Sequence, residues 1–292
     1  MTGLGFARRM SFVIEWSPMS QVAYLGPEGT FSGILARQRF GKKANLIPHG
    51  AIDGVFESVL SGSTALGLVP VENSSGGTVY DTIDLLIRHS GSVFILEELS
   101  LDIRIALIGT AGKPVKTVYS HFTQIKHHAD WLKTHHPKAA LVPVASTAIA
   151  SERAAADSSA AALASPGAAA IYKLDILATP SNSQEVNVTN FFTIACKPLA
   201  SDAADRTALV ATLRNQCGSL HKFLGPFARQ NVTLTRIVSR PIPGQPQTYI
   251  FYIEVQGSET DPGVARALEL AKRQAQEISI LGSFPLGRRF RS

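Results

Sequence analysis

Residues 67–79 read G-L-V-P-V-E-N-S-S-G-G-T-V, and the order of residue types in them decides the fold. The opening apolar run has the make-up of a buried strand, and Pro70, with no amide hydrogen to give a sheet, is expected to end it. Glu72, Asn73, Ser74 and Ser75 follow at once, a polar cluster delivered into a cleft, and Gly76 and Gly77 let backbone approach a ligand closely. Residues 81–88 alternate apolar and polar side chains at helical spacing, which places the cluster just before a helix N-terminus, where an anion is favoured. Turn and cap chemistry alone selects the same residue types, so this segment by itself does not make a site.

A second segment upstream changes that. Residues 22–25 form a short apolar strand pattern that runs into G-P-E-G-T-F-S at 26–32, ahead of a helical pattern over 34–40. Two strand-to-helix turns, both rich in glycine and hydroxyls, imply one site built from two loops. The two segments resemble the paired N-terminal motifs of prephenate dehydratases, G-P-x-G-[ST]-[FY]-S and P-[VI]-E-N-[ST]-x-x-G. Further matches follow in that family's order: V-Y-S-H at 118–121, S-T-A at 146–148, N-V-T-N-F at 187–191 and S-R-P at 239–241. The resemblance covers almost the whole chain after residue 20.

Bulk properties fit a folded protein of several cores. The 292 residues are 45% hydrophobic and 17% charged, which excludes a disordered chain. No apolar run approaches the roughly 18 residues that a membrane-spanning helix needs. A formal net charge of +6 raises nucleic acid as a partner, but the basic residues are scattered except for R-R-F-R at 288–291, so no nucleic-acid partner is expected. Cys196 and Cys217 have no C-x-x-C spacing, so neither a disulfide framework nor a thiolate metal site is expected, and a reducing cytoplasm is the natural location. Residues 1–20 fail as a signal peptide because Glu15 interrupts a short apolar stretch. They are expected to be a disordered leader, with Met10 or Met19 as alternative starts and too few residues for a fused chorismate mutase domain.

The expected fold is α/β. Strand and helix signals alternate over 21–99 and again over 102–178, with one strand over 101–108, a helix over 122–133 and a strand over 141–144. Residues 160–164 are too poor in β-branched side chains to assign. The resemblance implies two lobes like those of type 2 periplasmic binding proteins: a catalytic domain over 21–200, with lobe 1 at about 21–99 and 186–200 and lobe 2 at about 100–185. The strand over 188–194 would return to the first lobe. After a polar linker at 201–205, strand, helix, strand, strand, helix, strand follow over 207–284, with the last helix running 262–278, as in a split βαβ unit of the ferredoxin-like kind. That domain resembles an ACT regulatory domain, and 285–292 would be a basic tail.

The family's chemistry needs two carboxylates held while carbon dioxide and hydroxide leave, and it needs no metal or redox cofactor. The resemblance makes Thr189 the catalytic hydroxyl, since it occupies the threonine of a T-R-F motif. Thr30, Ser32, Glu72, Asn73, Ser74, Ser75, His121, Ser146, Thr147, Asn190 and Phe191 are the accompanying substrate-site candidates. Asn190 stands where the family has arginine, which removes a bidentate grip on a carboxylate and keeps arogenate dehydration or non-catalytic sensing open as alternatives. His127, His128, His135 and His136 lack a third ligand placed for a transition metal. Gly218, Ser219 and Leu220 resemble a G-A-L turn, and Val238, Ser239, Arg240 and Pro241 resemble an E-S-R-P motif, both associated with L-phenylalanine. Val238 replaces the glutamate, so feedback inhibition is the expectation with one ammonium partner missing. A homodimer or homotetramer is expected.

Overall fold

Short β-branched runs separated by helices with one apolar face leave parallel strands joined by crossovers as the arrangement that buries every apolar surface. The computed structural model describes residues 20–180, 187–199, 204–242 and 249–292. The expected leader and most of the polar linker lie outside these residues.

Lobe 1 begins β1 (Gln21–Leu25), α1 (Phe31–Phe40), β2 (Asn45–His49), α2 (Ile52–Leu60), β3 (Leu66–Asn73), β4 (Gly77–Thr78), α3 (Tyr80–Arg88) and β5 (Phe94–Asp102). The chain then builds lobe 2 from β6 (Ala106–Gly109), β7 (Thr117–His121), α4 (Phe122–His127), α5 (Ala129–His135), β8 (Ala140–Val144), α6 (Thr147–Ala156), β9 (Ala160–Ala164), α7 (Pro166–Tyr172) and β10 (Asp175–Ala178). It returns as β11 (Val188–Ala195). The third domain follows as β12 (Arg206–Thr212), α8 (Ser219–Arg229), β13 (Leu234–Pro241), β14 (Tyr249–Gln256), α9 (Pro262–Lys272) and β15 (Glu277–Phe284), and β16 (Leu286–Arg291) ends the chain.

Among the described residues three sheets result, with strand orders β16-β5-β11-β3-β1-β2 (β4 beside β3), β10-β6-β9-β7-β8 and β13-β14-β12-β15. The last is the antiparallel ferredoxin-like order, and α8 and α9 cover one face of it through Phe223, Phe227, Val264 and Ala267. Its other face packs on the first sheet: Ala208, Val210, Tyr252 and Phe284 share a core with Val69, Val71, Phe192 and Ile194. The Phe192 and Phe284 rings meet edge-on at 5.6 Å.

Several expectations are corrected. Pro70 does not end its strand: β3 continues to Asn73, and Pro70 is tolerated where the register with β11 shifts between Asn190 and Phe191. The run over 101–108 is two strands in different sheets, parted by half-exposed Ile103 and exposed Arg104. An unbroken apolar run hides such a crossing. The helix over 122–133 is broken at His128 into α4 and α5. The helix from Pro262 ends at Lys272, because the Gln276 amide bonds the Thr212 carbonyl and starts β15 at Glu277, so edge pairing overrides the helical propensity beyond it. Residues 286–291 are no free tail but pair with β5 as the edge strand of the first sheet. The alanine-rich β9 lies between β6 and β7, wholly buried.

The seam between the first sheet and the third domain contains charge. Glu98 and Glu254 are 4% and 0% exposed. Arg206 bridges them at 2.6 and 3.3 Å. Gly282 is equally constrained: its φ is +136°, and a methyl group there would lie 2.5 Å from the Ile95 carbonyl oxygen.

Gly282→Ala is therefore expected to lower stability by about 1–3 kcal/mol, read as a lower midpoint in thermal unfolding. Burial, and after it Glu254, push the Glu98 carboxyl above its usual range, while Arg206 and Arg236 pull it down. A raised pKa means the folded chain keeps a proton that the unfolded chain releases, so stability falls as pH rises from the ordinary value of 4.5 through the raised one. Glu98→Gln should match or exceed the parent's unfolding midpoint near neutral pH, and the advantage should shrink as pH is lowered toward the ordinary carboxylate range.

Candidate functional site

Parallel β1 and β3 end at one edge of the first sheet, and antiparallel β11 begins there, so topology brings the turn at 26–32, the hairpin at 73–77 and residues 187–189 to one place. Thr30 caps α1: its Oγ accepts from the Gly33 amide at 3.2 Å and donates to the Leu25 carbonyl at 2.9 Å. Ser32, 5% exposed, sits in the first turn of the same helix. The polar cluster at 72–75 does not abut a helix. It closes the β3–β4 hairpin, and α3 starts after β4 with Val79 as an N-cap without side-chain bonding.

Asn73 is the hub of this edge. Its Oδ1 accepts from the Ser75 and Gly76 amides at 3.0 and 2.8 Å, which shapes the turn. Its Nδ2 donates to Thr189 Oγ1 at 2.8 Å, to Asn187 Oδ1 at 2.8 Å and to the Val188 carbonyl at 3.3 Å. Ser74 stitches the hairpin to β11 by exchanging bonds with Val188: its amide donates to the Val188 carbonyl at 2.9 Å, and its Oγ accepts from the Val188 amide at 3.0 Å. The contact from Asn73 makes Thr189 Oγ1 an acceptor, so the hydroxyl hydrogen is left to donate elsewhere. A hydroxyl that accepts one bond is a stronger donor in the next.

Neighbouring residues of β11 face opposite ways. Phe191, 2% exposed, lies in a core with Leu99, Leu101 and Leu35. Asn190 pairs across the strands with Glu72 and Ser100, on the face that carries Phe192 and meets the third domain, and its Oδ1 accepts from Ser100 Oγ at 2.9 Å. The structure thus joins Asn73 to Thr189 directly, ties Ser74 to the adjoining Val188 and sets Asn190 on the other face. Glu72 accepts from Arg236 of the third domain at 2.7 Å.

Lobe 2 repeats the arrangement. Parallel β7, β8 and β9 end together. His121 closes β7 and caps α4, with Nδ1 accepting from the Thr123 amide at 3.4 Å, and burial lowers its pKa, which favours the neutral ring. Ser146 caps α6, its Oγ accepting from the Ile149 amide at 3.1 Å, and Thr147 is 7% exposed in the first turn. Ser165, not anticipated from sequence, caps α7 in the same way through the Ala168 amide at 3.1 Å. Its signal was legible: serine followed by Pro166 at the first helical position. Lobe 2 abuts the first turn of lobe 1. Tyr172 Oη donates to the Glu28 carbonyl at 2.8 Å, and Gly29 has no room for a side chain, since a methyl there would meet the Tyr172 ring at 2.8 Å.

Among the described residues no three His, Cys, Asp or Glu side chains gather at metal-ligand spacing. His135 instead stacks on Trp131 at 4.6 Å. No helix among those residues is long and apolar enough to cross a membrane.

In the third domain Gly218, at φ +77°, precedes α8, and Ser219 and Leu220 line a cavity of about 160 Å³ with Leu213, Gln216, Tyr249 and Phe251. The segment 238–241 lies on β13. Val238 is in the core shared with lobe 1, Ser239 is exposed, and Pro241 pairs with Tyr249 of the cavity wall. Arg240 turns away, gripping Asp84 of α3 with two bonds of 2.5 and 2.6 Å and lying 4.8 Å from the Tyr80 ring centre.

Comparison with known proteins agrees with this geometry. The chain is 36% identical over 285 residues to a bifunctional chorismate mutase/prephenate dehydratase of Stutzerimonas stutzeri, covering 96% of this chain and 77% of that one. A solved prephenate dehydratase from Arthrobacter aurescens, in complex with L-Phe, is 29% identical with a TM-score of 0.82 over 92% of this chain and 90% of that one. A structure described as GqqA, a novel type of quorum quenching acylase, is 25% identical with the same TM-score of 0.82, covering 91% and 98%. Residues 22–198 match the profile of the family described as Prephenate dehydratase, and with both lobes and the Asn73–Thr189 contact inside that span, the chain belongs to the prephenate dehydratase family.

Proposed function

We propose that the edge built by Asn73, Ser74 and Thr189 converts prephenate to phenylpyruvate, and the observation that carries this is the bond from Asn73 Nδ2 to Thr189 Oγ1. In this reaction the bond from the ring to its carboxylate breaks and its electron pair enters the ring, while the bond to the ring hydroxyl breaks and that oxygen leaves as water. Carbon dioxide and an aromatic ring result. Thr189 gives the departing oxygen its proton, the Asn73 amide stabilises the charge left on Oγ1, and water restores the proton. No electrons enter or leave the substrate overall. The aromatic product supplies the driving force, so the protein's part is to hold and align. The amide ends of α1 and α6 support binding of the two carboxylates, since helix N-termini attract anions.

The third domain is read as an ACT domain that binds L-phenylalanine in the cavity beside Gly218, Ser219 and Leu220. Its amino group and carboxylate would meet the turn before α8, and its ring the apolar wall of Leu220 and Phe251. Inhibition then follows if binding favours one placement of this domain over another. We place the interface of a homodimer on β13, whose outer edge is unpaired among the described residues and which exposes Ile237. Chemistry on a metabolite of amino-acid synthesis fits a cytoplasmic location.

Phenylpyruvate formation from prephenate near neutral pH is the test. Thr189→Val should lower kcat by about 10²- to 10⁴-fold with little change in KM, and Thr189→Ser should recover part of the loss. Unchanged turnover in Thr189→Val would reject this assignment. L-Phenylalanine is expected to suppress turnover and raise the unfolding temperature, and Leu220→Trp, which fills the cavity, should abolish both responses while leaving turnover without effector intact.

A further inference from the structure

Away from the cleft, charge is concentrated in the seam between the first sheet and the third domain, and Arg236 of β13 stands at its centre with its side chain 8% exposed. Its Nη2 donates to Glu72 Oε2 at 2.7 Å and lies 3.6 Å from Glu98 Oε1, while Nη1 donates to Glu254. Its face lies 5.7 Å from the centre of the Phe192 ring. Burial opposes its charge, but Glu254, Tyr252 and Glu98, with the Glu72 bond, outweigh that and keep the guanidinium protonated. Arg206, the other cation of the group, serves Glu98 and Glu254. Among the described residues the ion pair of Glu72 is with Arg236.

That pairing bears on the chemistry because Glu72 immediately precedes Asn73 at the end of β3. Adjacent strand residues face opposite ways, so Arg236 grips the strand end from one side while Asn73 meets Thr189 on the other. A planar fork suits the task, since one guanidinium can hold Glu254 of its own domain and Glu72 of lobe 1 at once, which a single ammonium does poorly.

We propose that Arg236 is a positioning residue for the dehydration: by clamping Glu72 from the third domain it holds the β3–β4 hairpin where Asn73 can bond Thr189, so the seating of that domain becomes a condition for a competent cleft. The proposal rests on the dehydratase reading of the cleft given above.

The test compares Arg236→Lys, Arg206→Lys and the parent as full chains, by prephenate turnover and by hydrogen exchange over residues 72–78. Arg236→Lys should lower kcat about tenfold with KM within about twofold, and the hairpin amides should exchange faster. Arg206→Lys should leave both near parental values. Equal losses in the two variants would show general damage to the seam, and parental kcat in a folded Arg236→Lys would show that no clamp operates; either result overturns the proposal. Should Arg236→Lys not fold, Glu72→Gln at the half-exposed end of the pair is expected to show the same kcat loss and faster exchange, and parental values there would overturn the proposal as well. A parent without turnover would strike at the dehydratase reading instead, and the exchange comparison would still decide whether the clamp exists.

Discussion

The structure depends on the insertion of β11 between β5 and β3. Both precede the whole of lobe 2 in the sequence and β11 follows it, so the sheet closes only when the chain comes back antiparallel to both. One face of the returning strand buries Phe191 against Leu99 and Leu101, and the other buries Phe192 and Ile194. Burying such side chains stabilises by about 1.5–3 kcal/mol each, and because strand side chains alternate with period two, a slip of one residue would turn every one of them to the wrong face. The register that satisfies the core is the register that puts Thr189 beside Asn73. Core packing and the alignment of Asn73 with Thr189 are therefore one constraint.

The face bearing Phe192 is also the seat of the third domain, and the seam sets carboxylate–guanidinium pairs beside apolar contact. Three carboxylates, Glu72, Glu98 and Glu254, meet Arg206 and Arg236 there. Desolvating such groups is costly, and buried pairs often contribute little net stability. What they do contribute is geometry, because the pairs are satisfied at one placement of the domain and leave buried charge uncompensated at others. The bond between Arg240 and Asp84 and the strand β16, which continues past the third domain to pair with β5, tie the same two bodies at further points.

Much of this was legible in the residues, and the failures share a physical pattern. The turn at 26–32 was readable because glycine and proline punctuate the chain locally, and its Thr30, like Ser146, proves to cap a helix, which is local chemistry too. The β11 segment was readable as a strand, and its return to lobe 1 followed from resemblance. Local patterns could not show that Pro70 sits at a register shift, because register is a property of the pairing with β11 and not of residues 66–73 alone. Nor could they show that residues 286–291 pair with β5, since a basic run looks like a tail until a sheet edge is there to receive it. Asn190 was read as a loss at the substrate. Its bond to Ser100 and its place opposite Glu72 show that it also belongs to the far face of the sheet, a matter of strand parity that the T-R-F comparison does not contain. Arg236 lay outside every motif because its partner is 164 residues away.

On the reading proposed above, Asn73 and Thr189 act as one unit at the sheet edge. A double-mutant cycle on prephenate turnover tests it most directly, using Asn73→Ala, Thr189→Val and the pair together. If the amide works through the threonine hydroxyl, adding Asn73→Ala to Thr189→Val should cost far less in kcat than it does in the parent. Losses that simply multiply in the double variant would contradict the account.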